Sequence, residues 1–471
     1  MVQFIPHIVA IPYPAQGHVL PLMELSLWLI KELGCKITFV NSEFNHKRVI
    51  KSLSENDDVQ DKISLISIPD GLEPHEDRTD LKKLTESINE VMPGKLMEVI
   101  NMINSNDSQV SCVIADENMG WALEVAAKLN IRSVAFWPAA AATLASLFSV
   151  SKLIDDGIID KDGVSNKICI PGAILKAQGI KLSPNMPIMN PSDFAWATFP
   201  DPAMRKMIMD LVADNNERVK FADWIICNSA KELEPGAFVM FPQVSPIGPL
   251  LASDRLGSSA GHFWPEDSNC LKWLDQQPHN SVIYVAFGSF TILDLTQFQE
   301  LALGLESSKR RFLWVVREDL ILDGDDSAYP KGFKDRVGSR GHIVKWAPQQ
   351  KVLAHPSIAC FLSHCGWNST VESVSNGVPF LCWPYFADQL FNQSYICDVW
   401  KVGLGFNKNE FGVIGKEEIK NKMDKLFGDE TFKERALDLQ AKVNSSVKEG
   451  GNSNKMFGKF IDWIKTQRGS I

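Results

Sequence analysis

Short apolar runs alternate with helically spaced apolar residues over the first half of the chain. The runs predict strands at 7–13, 36–40, 110–115, 133–136 and 224–228, and the helical spacing predicts helices at 19–31 and 122–129. Such an alternation of strands and helices is typical of a parallel sheet that is covered by helices on both faces. We therefore predict an α/β fold for this half.

The same alternation restarts after a break in the pattern. Segment 246–260 is rich in Pro, Ser and Gly and has no periodic apolar positions, which indicates a linker between domains. Beyond it the pattern predicts strands at 282–287, 311–316, 342–345, 358–363 and 379–382, with helices at 296–307, 349–354 and 370–376. The sequence thus predicts an N-terminal domain over 1–245 and a second α/β domain over 261–450.

The last segment, 451–471, follows a helix break at Gly450 and Gly451. Its apolar residues form one stripe along a helix: Met456, Phe457, Phe460, Ile461 and Ile464. A helix with such a stripe packs against other elements. We therefore predict a C-terminal helix that docks on the body of the protein.

Charge and hydropathy narrow the range of partners. The chain has 471 residues, with 48 Lys and Arg against 57 Asp and Glu, which gives a formal net charge of −9. Nucleic acids and anionic membranes favour basic surfaces, so neither is expected as the main partner. The most apolar window, 134–150, contains Pro138 and is shorter than the roughly 20 apolar residues of a membrane-spanning helix. It is interpreted as a buried helix.

Cysteine usage and the first residues indicate the compartment. Nine cysteines occur without a CxxC pair, and Cys112, Cys227 and Cys382 lie in apolar runs. Reduced and buried thiols are typical of cytosolic proteins. The first residues also lack the basic and apolar stretches of a signal peptide. We therefore predict a cytoplasmic protein without an integral membrane segment.

The strand predicted at 358–363 leads into a turn that suits a phosphate. Gly366 lets the backbone approach a ligand closely, and Asn368 and Ser369 are good N-cap types for the helix that follows. The N–H groups and partial positive charge of a helix start favour an anion, and His364 can donate to the same phosphate. Glu372, one turn along the helix, suits ribose hydroxyls. By itself, this arrangement is also that of an ordinary strand–helix turn.

The residues on either side of this turn complete a site for a nucleotide sugar. Trp346 offers an aromatic face for a planar base and is followed by Ala347 and Gln349, whereas Asp388 and Gln389 follow a buried strand and suit sugar hydroxyls. Ligands of open α/β sheets bind beyond the carboxyl ends of the strands, where all of these groups are predicted to lie.

Segment 346–389 resembles the signature box of plant family 1 UDP-glycosyltransferases. The shared residues are Trp-Ala-Pro-Gln from 346, His-Cys-Gly-Trp-Asn-Ser from 364, Glu372, Gly-Val-Pro from 377 and the closing Asp-Gln. The stretches that end at His18 and Ser289 are also similar to that family. The resemblance implies a GT-B architecture of two facing Rossmann-like domains, with the donor on the C-terminal domain and the acceptor on the N-terminal one. It also implies that the C-terminal helix packs back on the N-terminal domain.

The resemblance further implies a contact for each part of a UDP-sugar. Uracil would stack on Trp346 beside Ala347 and Gln349, and ribose would bind Glu372. The diphosphate would bind Ser289, His364, Gly366, Asn368 and Ser369. The sugar would contact Trp367, Asp388 and Gln389. In the family, Trp at position 367 and Gln at position 389 accompany glucose. Many relatives have Ser or Thr in contact with the sugar's 6-hydroxyl where this chain has Pro138.

A general base is predicted at His18. Histidine suits this role because its pKa lies near the working pH. His18 follows the first predicted strand at a helix start, whose dipole favours the neutral ring. Asp116 follows strand 110–115 at the same edge of the sheet and can orient the ring. A His at a helix start is more often a cap or a surface residue, but by resemblance His18 and Asp116 form the family's catalytic dyad.

Two other motifs are not expected to act. The G-x-S-x-G pattern at 257–261 lies in the predicted linker, without the strand and helix that a nucleophile elbow needs. Asp323 and Asp325 resemble a metal-binding pair but lie in a Gly/Asp/Ser loop, and no metal is expected. HExxH, Walker A and G-x-G-x-x-G motifs are missing from the sequence, which disfavours metalloproteases, NTPases and dehydrogenases.

The sequence therefore predicts an inverting, metal-independent transferase that acts as a monomer without a cofactor. It would move glucose from UDP-glucose, its co-substrate, to a hydroxyl of a small phenolic, flavonoid, terpenoid or steroid acceptor. Two alternatives remain: a non-catalytic UDP-sugar binding protein, which would be expected to have lost His18 or Asp116, and a UDP-sugar hydrolase or epimerase, which needs no apolar acceptor cleft. Such a cleft is favoured by Phe136, Trp137, Phe194 and Trp196, although core packing explains these residues equally well.

Overall fold

The computed structural model describes residues 5–52, 63–105, 109–165, 179–199, 201–250, 266–317, 320 and 328–466. The chain divides into two compact units. One consists of Met1–Trp264 together with Ser445–Ile471, and the other of Pro265–Asn444. Each unit contains a parallel sheet with helices packed on it.

The strands and helices alternate along the chain. The strands are β1 (His7–Ile11), β2 (Lys36–Ser42), β3 (Ile63–Ile68), β4 (Cys112–Asp116), β5 (Arg132–Trp137), β6 (Trp224–Cys227), β7 (Val244–Pro246), β8 (Val282–Ala286), β9 (Arg311–Val315), β10 (Gly341–Val344), β11 (Ile358–Ser363), β12 (Phe380–Cys382) and β13 (Gly403–Gly405). The α-helices are α1 (Gln16–Leu33), α2 (Glu43–Ser52), α3 (Leu81–Asn104), α4 (Gly120–Lys128), α5 (Ala141–Phe148), α6 (Val150–Asp155), α7 (Pro202–Arg218), α8 (Pro235–Met240), α9 (Asn269–Leu274), α10 (Leu295–Ser307), α11 (Phe333–Val337), α12 (Gln349–Leu353), α13 (Trp367–Ser375), α14 (Gln389–Ser394), α15 (Lys416–Gly428), α16 (Thr431–Val447) and α17 (Asn452–Lys465).

In the described part of the first unit, the sheet has seven parallel strands in the order β3-β2-β1-β4-β5-β6-β7. Both faces are buried, as the alternation along β4 illustrates. Cys112 and Ile114 join a core cluster with α1 and α17, whereas Val113 and Ala115 join a cluster with α3 and α4. The strand order reverses between β1 and β4, which is where open α/β sheets bind ligands.

Helix α17 packs on the first unit through its apolar stripe. Phe457 meets Trp28 of α1 edge to face, with 5.2 Å between the ring centroids. Arg132 of β5 lies 3.6 Å above the Trp463 ring and donates from Nη2 to the Trp463 carbonyl at 2.7 Å. Phe460 and Ile464 lie in the core cluster that also contains residues of β1.

In the second unit, the described strands form a parallel sheet in the order β10-β9-β8-β11-β12-β13. Ile283 and Val285 of β8 pack with Phe298 and Leu301 of α10 in its core. The order reverses between β8 and β11. Each unit therefore has one switch point, formed by its first strand and its fourth strand in chain order.

The window 134–150 is not the single buried helix that its apolar composition predicts. Its first residues belong to β5, and α5 begins only at Ala141. Val134, Phe136 and Trp137 favour a strand, whereas the alanines from 139 onward favour a helix, and Pro138 lies between the two elements. In the described ranges, no helix is both long enough and apolar enough to cross a membrane.

Two predicted boundaries also differ from the structure. Strand β1 ends at Ile11 rather than at 13, because Pro12 and Pro14 have no N–H to donate to a sheet. Ile247 and Leu250, which fall in the predicted linker, are 1% exposed and lie in the core of the first unit. The rest of the linker, 251–260, lies outside the described residues, as do the motifs at 257–261 and 323–325.

Candidate active site

His18 and Asp116 form a hydrogen-bonded pair in the first unit. Nδ1 of His18 lies 2.7 Å from Oδ2 of Asp116. The Asp116 side chain is fully buried, whereas the His18 side chain is 25% exposed. An ionised carboxylate can only accept a hydrogen bond, so Nδ1 carries the proton and the neutral ring has its lone pair on Nε2. This tautomer is the one that a general base requires.

The topology of the sheet brings this pair together. His18 lies in the first turn of α1, directly after β1, and Asp116 is the last residue of β4. The two strands are neighbours, with Ile11 beside Ala115. Because the strand order reverses between them, residues that follow β1 and β4 meet at the switch point despite a separation of 98 positions in the chain.

Asn118 holds the carboxylate of Asp116 from the other side. Its backbone N–H and its side-chain amide donate to Oδ1 of Asp116 at 3.0 and 3.2 Å. The backbone contact is the turn that Asp commonly forms with the residue two positions later in the chain. The sequence alone can therefore indicate this backbone contact, but not the contact from the side-chain amide. Burial and the charge of Asp116 raise the pKa of Glu117 to about 8. Glu117 therefore adds no second negative charge beside the pair at neutral pH.

The aromatic residues considered for an acceptor cleft pack the core of the first unit instead. Phe136 is fully buried in the cluster around β1. Phe194 and Trp196 are also fully buried and stack on each other with 4.8 Å between centroids. Trp137 donates its indole N–H to the carbonyl of Ala140 at 2.8 Å. Core packing therefore accounts for all four aromatic residues.

At the switch point of the second sheet, Ser289 follows β8 and His364 follows β11. Two glycines allow the close approach of these turns. A Cβ atom at Gly288 would lie 2.6 Å from Nε2 of His364, and one at Gly366 would lie 2.4 Å from the same atom. Gly288 also has a φ of +66°, a conformation that other residues adopt at a cost. The His364 ring is therefore enclosed by backbone.

A buried arginine that the sequence motif does not include lies beside this histidine. Arg317, two residues beyond β9, is 4% exposed, and its guanidinium donates to the carbonyls of Gly288 and Thr291. Burial and the positive charge of Arg317 lower the pKa of His364 to about 4. A backbone hydrogen bond with Ala286 opposes part of this shift, and at neutral pH His364 is an uncharged ring.

Helix α13 begins at Trp367, three residues before the predicted start at 370. Its N-cap is Gly366, in extended conformation, and no side chain caps the helix. The sequence suggests Asn368 and Ser369 as N-cap residues. In the structure they lie in the first turn of the helix instead. A first turn without a capping side chain presents its N–H groups and partial positive charge to a ligand. Cys365, just before the helix, has a φ of +65°, and such strained non-glycine residues concentrate at functional sites.

Gln349 connects a residue predicted for ribose, Glu372, with one predicted for the diphosphate, Ser369. Its Nε2 donates to Oγ of Ser369 at 2.8 Å and to Oε2 of Glu372 at 2.6 Å, and its Oε1 accepts from the hydroxyl of Tyr284 at 3.1 Å. Burial raises the pKa of Glu372 to about 7, and hydrogen bonds from Gln349 and Gln350 offset part of that rise. The carboxyl group proposed for ribose thus titrates near neutral pH.

The two tryptophans of the segment occupy different surroundings. Trp346 lies between β10 and α12, partly exposed, and its carbonyl accepts from the N–H of Asp267 at 3.1 Å. Ala347, next to it, is buried. Trp367 is 4% exposed and lies 6.5 Å from the Trp400 ring. Of the two tryptophans, Trp346 is therefore the more accessible one.

Asp388 and Gln389 lie at the start of α14. Oε1 of Gln389 accepts from the backbone N–H groups of Tyr385 and Phe386 at 2.7 and 3.2 Å. Because these contacts fix the orientation of the amide, its NH₂ group is the part of the side chain that can donate to a ligand. Oδ2 of Asp388 accepts from Nδ2 of Asn392 at 2.8 Å. The pair therefore offers one carboxylate and one amide donor, a combination suited to sugar hydroxyls.

Two other histidines, His7 and His355, have structural partners. Nε2 of His7 lies 2.9 Å from Oγ1 of Thr38, and Nε2 of His355 lies 3.1 Å from Oδ1 of Asp275. Within the part of the chain that the structure describes, no three His, Cys, Asp or Glu side chains converge as metal ligands would.

Comparison with known proteins decides the family. Residues 257–444 match the family model of UDP-glucoronosyl and UDP-glucosyl transferases. UDP-glycosyltransferase 83A1 of Arabidopsis thaliana is 47% identical over 473 residues, which cover 98% of this chain and 97% of the relative. The chain belongs to the plant UDP-glycosyltransferase family. The predicted enzyme class is thereby confirmed.

Other relatives of this glycosyltransferase agree. The 7-deoxyloganetin glucosyltransferase of Gardenia jasminoides is 35% identical, with 95% of each chain covered. The solved structure of Phytolacca americana UGT2, complexed with UDP-2fluoro-glucose and pterostilbene, has a TM-score of 0.78 at 28% identity and covers 98% of this chain and 100% of that one. The predicted fold class, GT-B with two Rossmann-like parallel-sheet domains, is confirmed.

Proposed function

We propose that this glycosyltransferase moves glucose from UDP-glucose to a hydroxyl group of a small lipophilic acceptor and inverts the anomeric carbon, so that the product is a β-glucoside. The observation that carries the proposal is the 2.7 Å contact between Nδ1 of His18 and the buried carboxylate of Asp116. It gives the imidazole the tautomer and the orientation of a general base.

The donor contacts are proposed in the second unit. Uracil stacks on Trp346 next to Ala347, and ribose hydroxyls donate to Glu372, which Gln349 holds in place. The diphosphate lies against Ser289, His364 and the first turn of α13, which includes Asn368 and Ser369. The complex of the Phytolacca americana enzyme with UDP-2fluoro-glucose supports a UDP-sugar as the donor.

The reaction proposed is a single displacement. The acceptor hydroxyl gives its proton to Nε2 of His18 while its oxygen attacks the anomeric carbon from the face opposite UDP. The bond from that carbon to the β-phosphate oxygen breaks, and the electron pair leaves with UDP. Asp116 stabilises the imidazolium that forms. The uncharged His364 ring and the N-terminus of α13 stabilise the charge on the departing phosphate. We therefore propose that no metal takes part.

We propose that Asp388 and Gln389 select glucose. Pro138 has no hydroxyl to offer to the sugar, so the contact that many relatives make from this position is missing here. The remaining sugar contacts then come from the carboxylate of Asp388 and the amide NH₂ of Gln389. Relatives named as glucosyltransferases support glucose as the sugar. Phenolic, flavonoid, terpenoid and steroid alcohols are the acceptors proposed.

The test is an incubation of the purified protein with UDP-glucose, with and without a panel of these acceptors. Release of UDP only in the presence of an acceptor, with a new product mass of acceptor plus hexose, supports transfer. Release of UDP without any acceptor would instead favour the hydrolase alternative. The anomeric proton coupling in the NMR spectrum of the product distinguishes a β-linkage from an α-linkage, and turnover in a chelator tests independence from metal.

A further inference from the structure

Asn392 on α14 connects two parts of the donor segment. Its Nδ2 donates to the carbonyl of Cys365 at 2.9 Å and to Oδ2 of Asp388 at 2.8 Å. Asn392 is fully buried. A single amide group therefore contacts both the turn that begins the phosphate-binding helix and the carboxylate proposed for the sugar.

The fold makes this double contact specific to its position. Asn392 lies one helical turn after Asp388, and its backbone N–H donates to the Asp388 carbonyl at 2.9 Å, so the two side chains share a face of α14. Cys365 is 27 positions earlier and follows a different strand. An amide has two hydrogens on one nitrogen, which allows it to donate to both acceptors at once.

The Cys365 end of the connection does not depend on Asn392 alone. The Cys365 turn has additional hydrogen bonds: its N–H donates to Oγ of Ser363 at 3.1 Å, and Oγ1 of Thr370 donates to its carbonyl at 3.4 Å. Asp388 is partly exposed at the start of a helix that no side chain caps. Loss of Asn392 is therefore expected to leave the shape of the turn in place, while the Asp388 carboxylate loses its hydrogen bond to the amide that connects it to that turn.

We propose that Asn392 is a positioning residue that fixes the Asp388 carboxylate relative to the phosphate-binding turn and thereby determines how tightly the sugar of the donor is held. The inference rests on the sugar contact of Asp388 in the proposed function. It predicts that Asn392 matters for binding of the sugar moiety and much less for binding of UDP alone.

The experiment compares the affinities of the full chain for UDP and for UDP-2-fluoroglucose, a slowly reacting donor, by titration calorimetry. In Asn392→Ala, the affinity for UDP-2-fluoroglucose is expected to fall roughly tenfold, as for loss of a hydrogen bond to a charged group, while the affinity for UDP changes about twofold or less. Asn392→Ser, which keeps a donor in a smaller side chain, is measured in the same way in case the alanine variant folds poorly. An equal loss for both ligands would overturn the inference, because it would mean that Asn392 supports only the turn.

The matched control is Ser394→Ala, which removes a side-chain bond from Ser394 to the Leu390 carbonyl on the same helix. It is expected to leave both affinities unchanged. If it weakened UDP-2-fluoroglucose as much as Asn392→Ala did, the effect would belong to the stability of α14, and the inference would be wrong.

A double-mutant cycle with Asp388→Ala separates this inference from the proposed function. If Asn392 acts through Asp388, the double variant binds UDP-2-fluoroglucose no more weakly than Asp388→Ala alone. Additive losses would overturn the inference. If Asp388→Ala weakens the sugar nucleotide and Asn392→Ala does not, the inference alone fails. If Asp388→Ala has no effect, the sugar contact in the proposed function fails, and the inference fails with it.

Discussion

The switch points of the two sheets present different kinds of site. Between β1 and β4, one pair of side chains, His18 and Asp116, meets across 98 positions of the chain. At the switch point between β8 and β11, several contacts involve segment 346–389: Gln349 contacts Glu372 within the segment, and Asn392, just beyond it, contacts Asp388. The same topology thus supports a site that depends on one contact and a site whose contacts are distributed.

The electrostatics differ in the same way. The first site places a buried carboxylate beside an imidazole, with Glu117 protonated at neutral pH. The second site combines a helix start without a capping side chain, a buried Arg317 and a neutral His364. A proton acceptor needs one well-oriented negative partner, whereas a diphosphate needs several weak positive contributions. We therefore expect loss of the base itself to reduce activity steeply at the first site, and single substitutions to reduce affinity by degrees at the second.

The largest effect is expected for His18→Ala. Since general base catalysis contributes about 10²–10⁴-fold, transfer should fall by roughly a thousandfold, while the affinity for UDP by calorimetry stays unchanged. His355→Ala, which removes a structural histidine in the second unit, is the control and should keep most of the activity. Retention of more than about a tenth of the wild-type rate by His18→Ala would contradict the role of the base.

Glu372→Gln tests the distributed site with an isosteric change. Since a hydrogen bond to a charged group contributes about 1.5–3 kcal/mol, the affinity for UDP should fall roughly 10–100-fold at pH 8, and kcat at saturating donor should change less. The pKa of Glu372 is about 7, and the carboxylate is the better acceptor for ribose hydroxyls. The affinity of the wild type should therefore fall below pH 7, by about tenfold per unit, and that of Glu372→Gln should not.

The same variant should be more stable. Because the pKa of Glu372 is raised from 4.5 to about 7 in the folded protein, this carboxyl group favours folding below pH 4.5, and the contribution is lost as the pH rises to 7. At pH 8 the charged group then costs on the order of 3 kcal/mol, which Glu372→Gln removes. A higher Tm at pH 8 and an unchanged Tm near pH 4.5 are expected from thermal shift measurements. Equal Tm values at pH 8 would contradict the buried state of this carboxyl group.

Asn118→Ala tests how far the single contact of the first site depends on its support. The variant loses the side-chain bond to Oδ1 of Asp116 but keeps the backbone one. Since one such bond contributes about 1 kcal/mol, kcat should fall about fivefold with the affinity for UDP unchanged. In a His18→Ala background, Asn118→Ala should have no further effect. A further loss there would show that Asn118 does not act through the dyad.

The sequence predicted the second site better than the first because the second is continuous. Fixed spacings within 346–389 pointed to all of the predicted donor residues except Ser289, whereas the contact of His18 with Asp116 required the order of the strands. The role of each residue remains a prediction. The predicted start of helix α13 was wrong by three residues, because Gly366 in extended conformation serves as the N-cap in place of the side chains that usually do so.

Residues that support the sites from outside any motif were not predictable. Arg317 follows an ordinary buried strand, and nothing in its neighbours indicates that its guanidinium reaches the carbonyls of Gly288 and Thr291. The contact of Asn392 with Cys365 likewise depends on packing between α14 and the turn after β11. The apolar window 134–150 was misread for a related reason: periodicity does not distinguish a fully buried strand from a buried helix over a few residues.

The smallest effect is expected for Arg317→Met, and it concerns the electrostatics of the distributed site. Burial is the larger cause of the low pKa of His364, about 4, and the charge of Arg317 is the second. Removal of that charge in Arg317→Met should therefore raise the pKa of His364, but not above 6.5, because the ring remains buried. Arg317→Lys keeps a positive charge and should lower the pKa of His364 again in part. NMR titration of the histidine ring protons measures this change. The affinity for UDP should fall only about threefold, because one of several positive contributions is lost, and this loss should depend little on salt because Arg317 is buried. If Arg317→Met reduced the transfer rate as much as His18→Ala does, the second site would also depend on a single group.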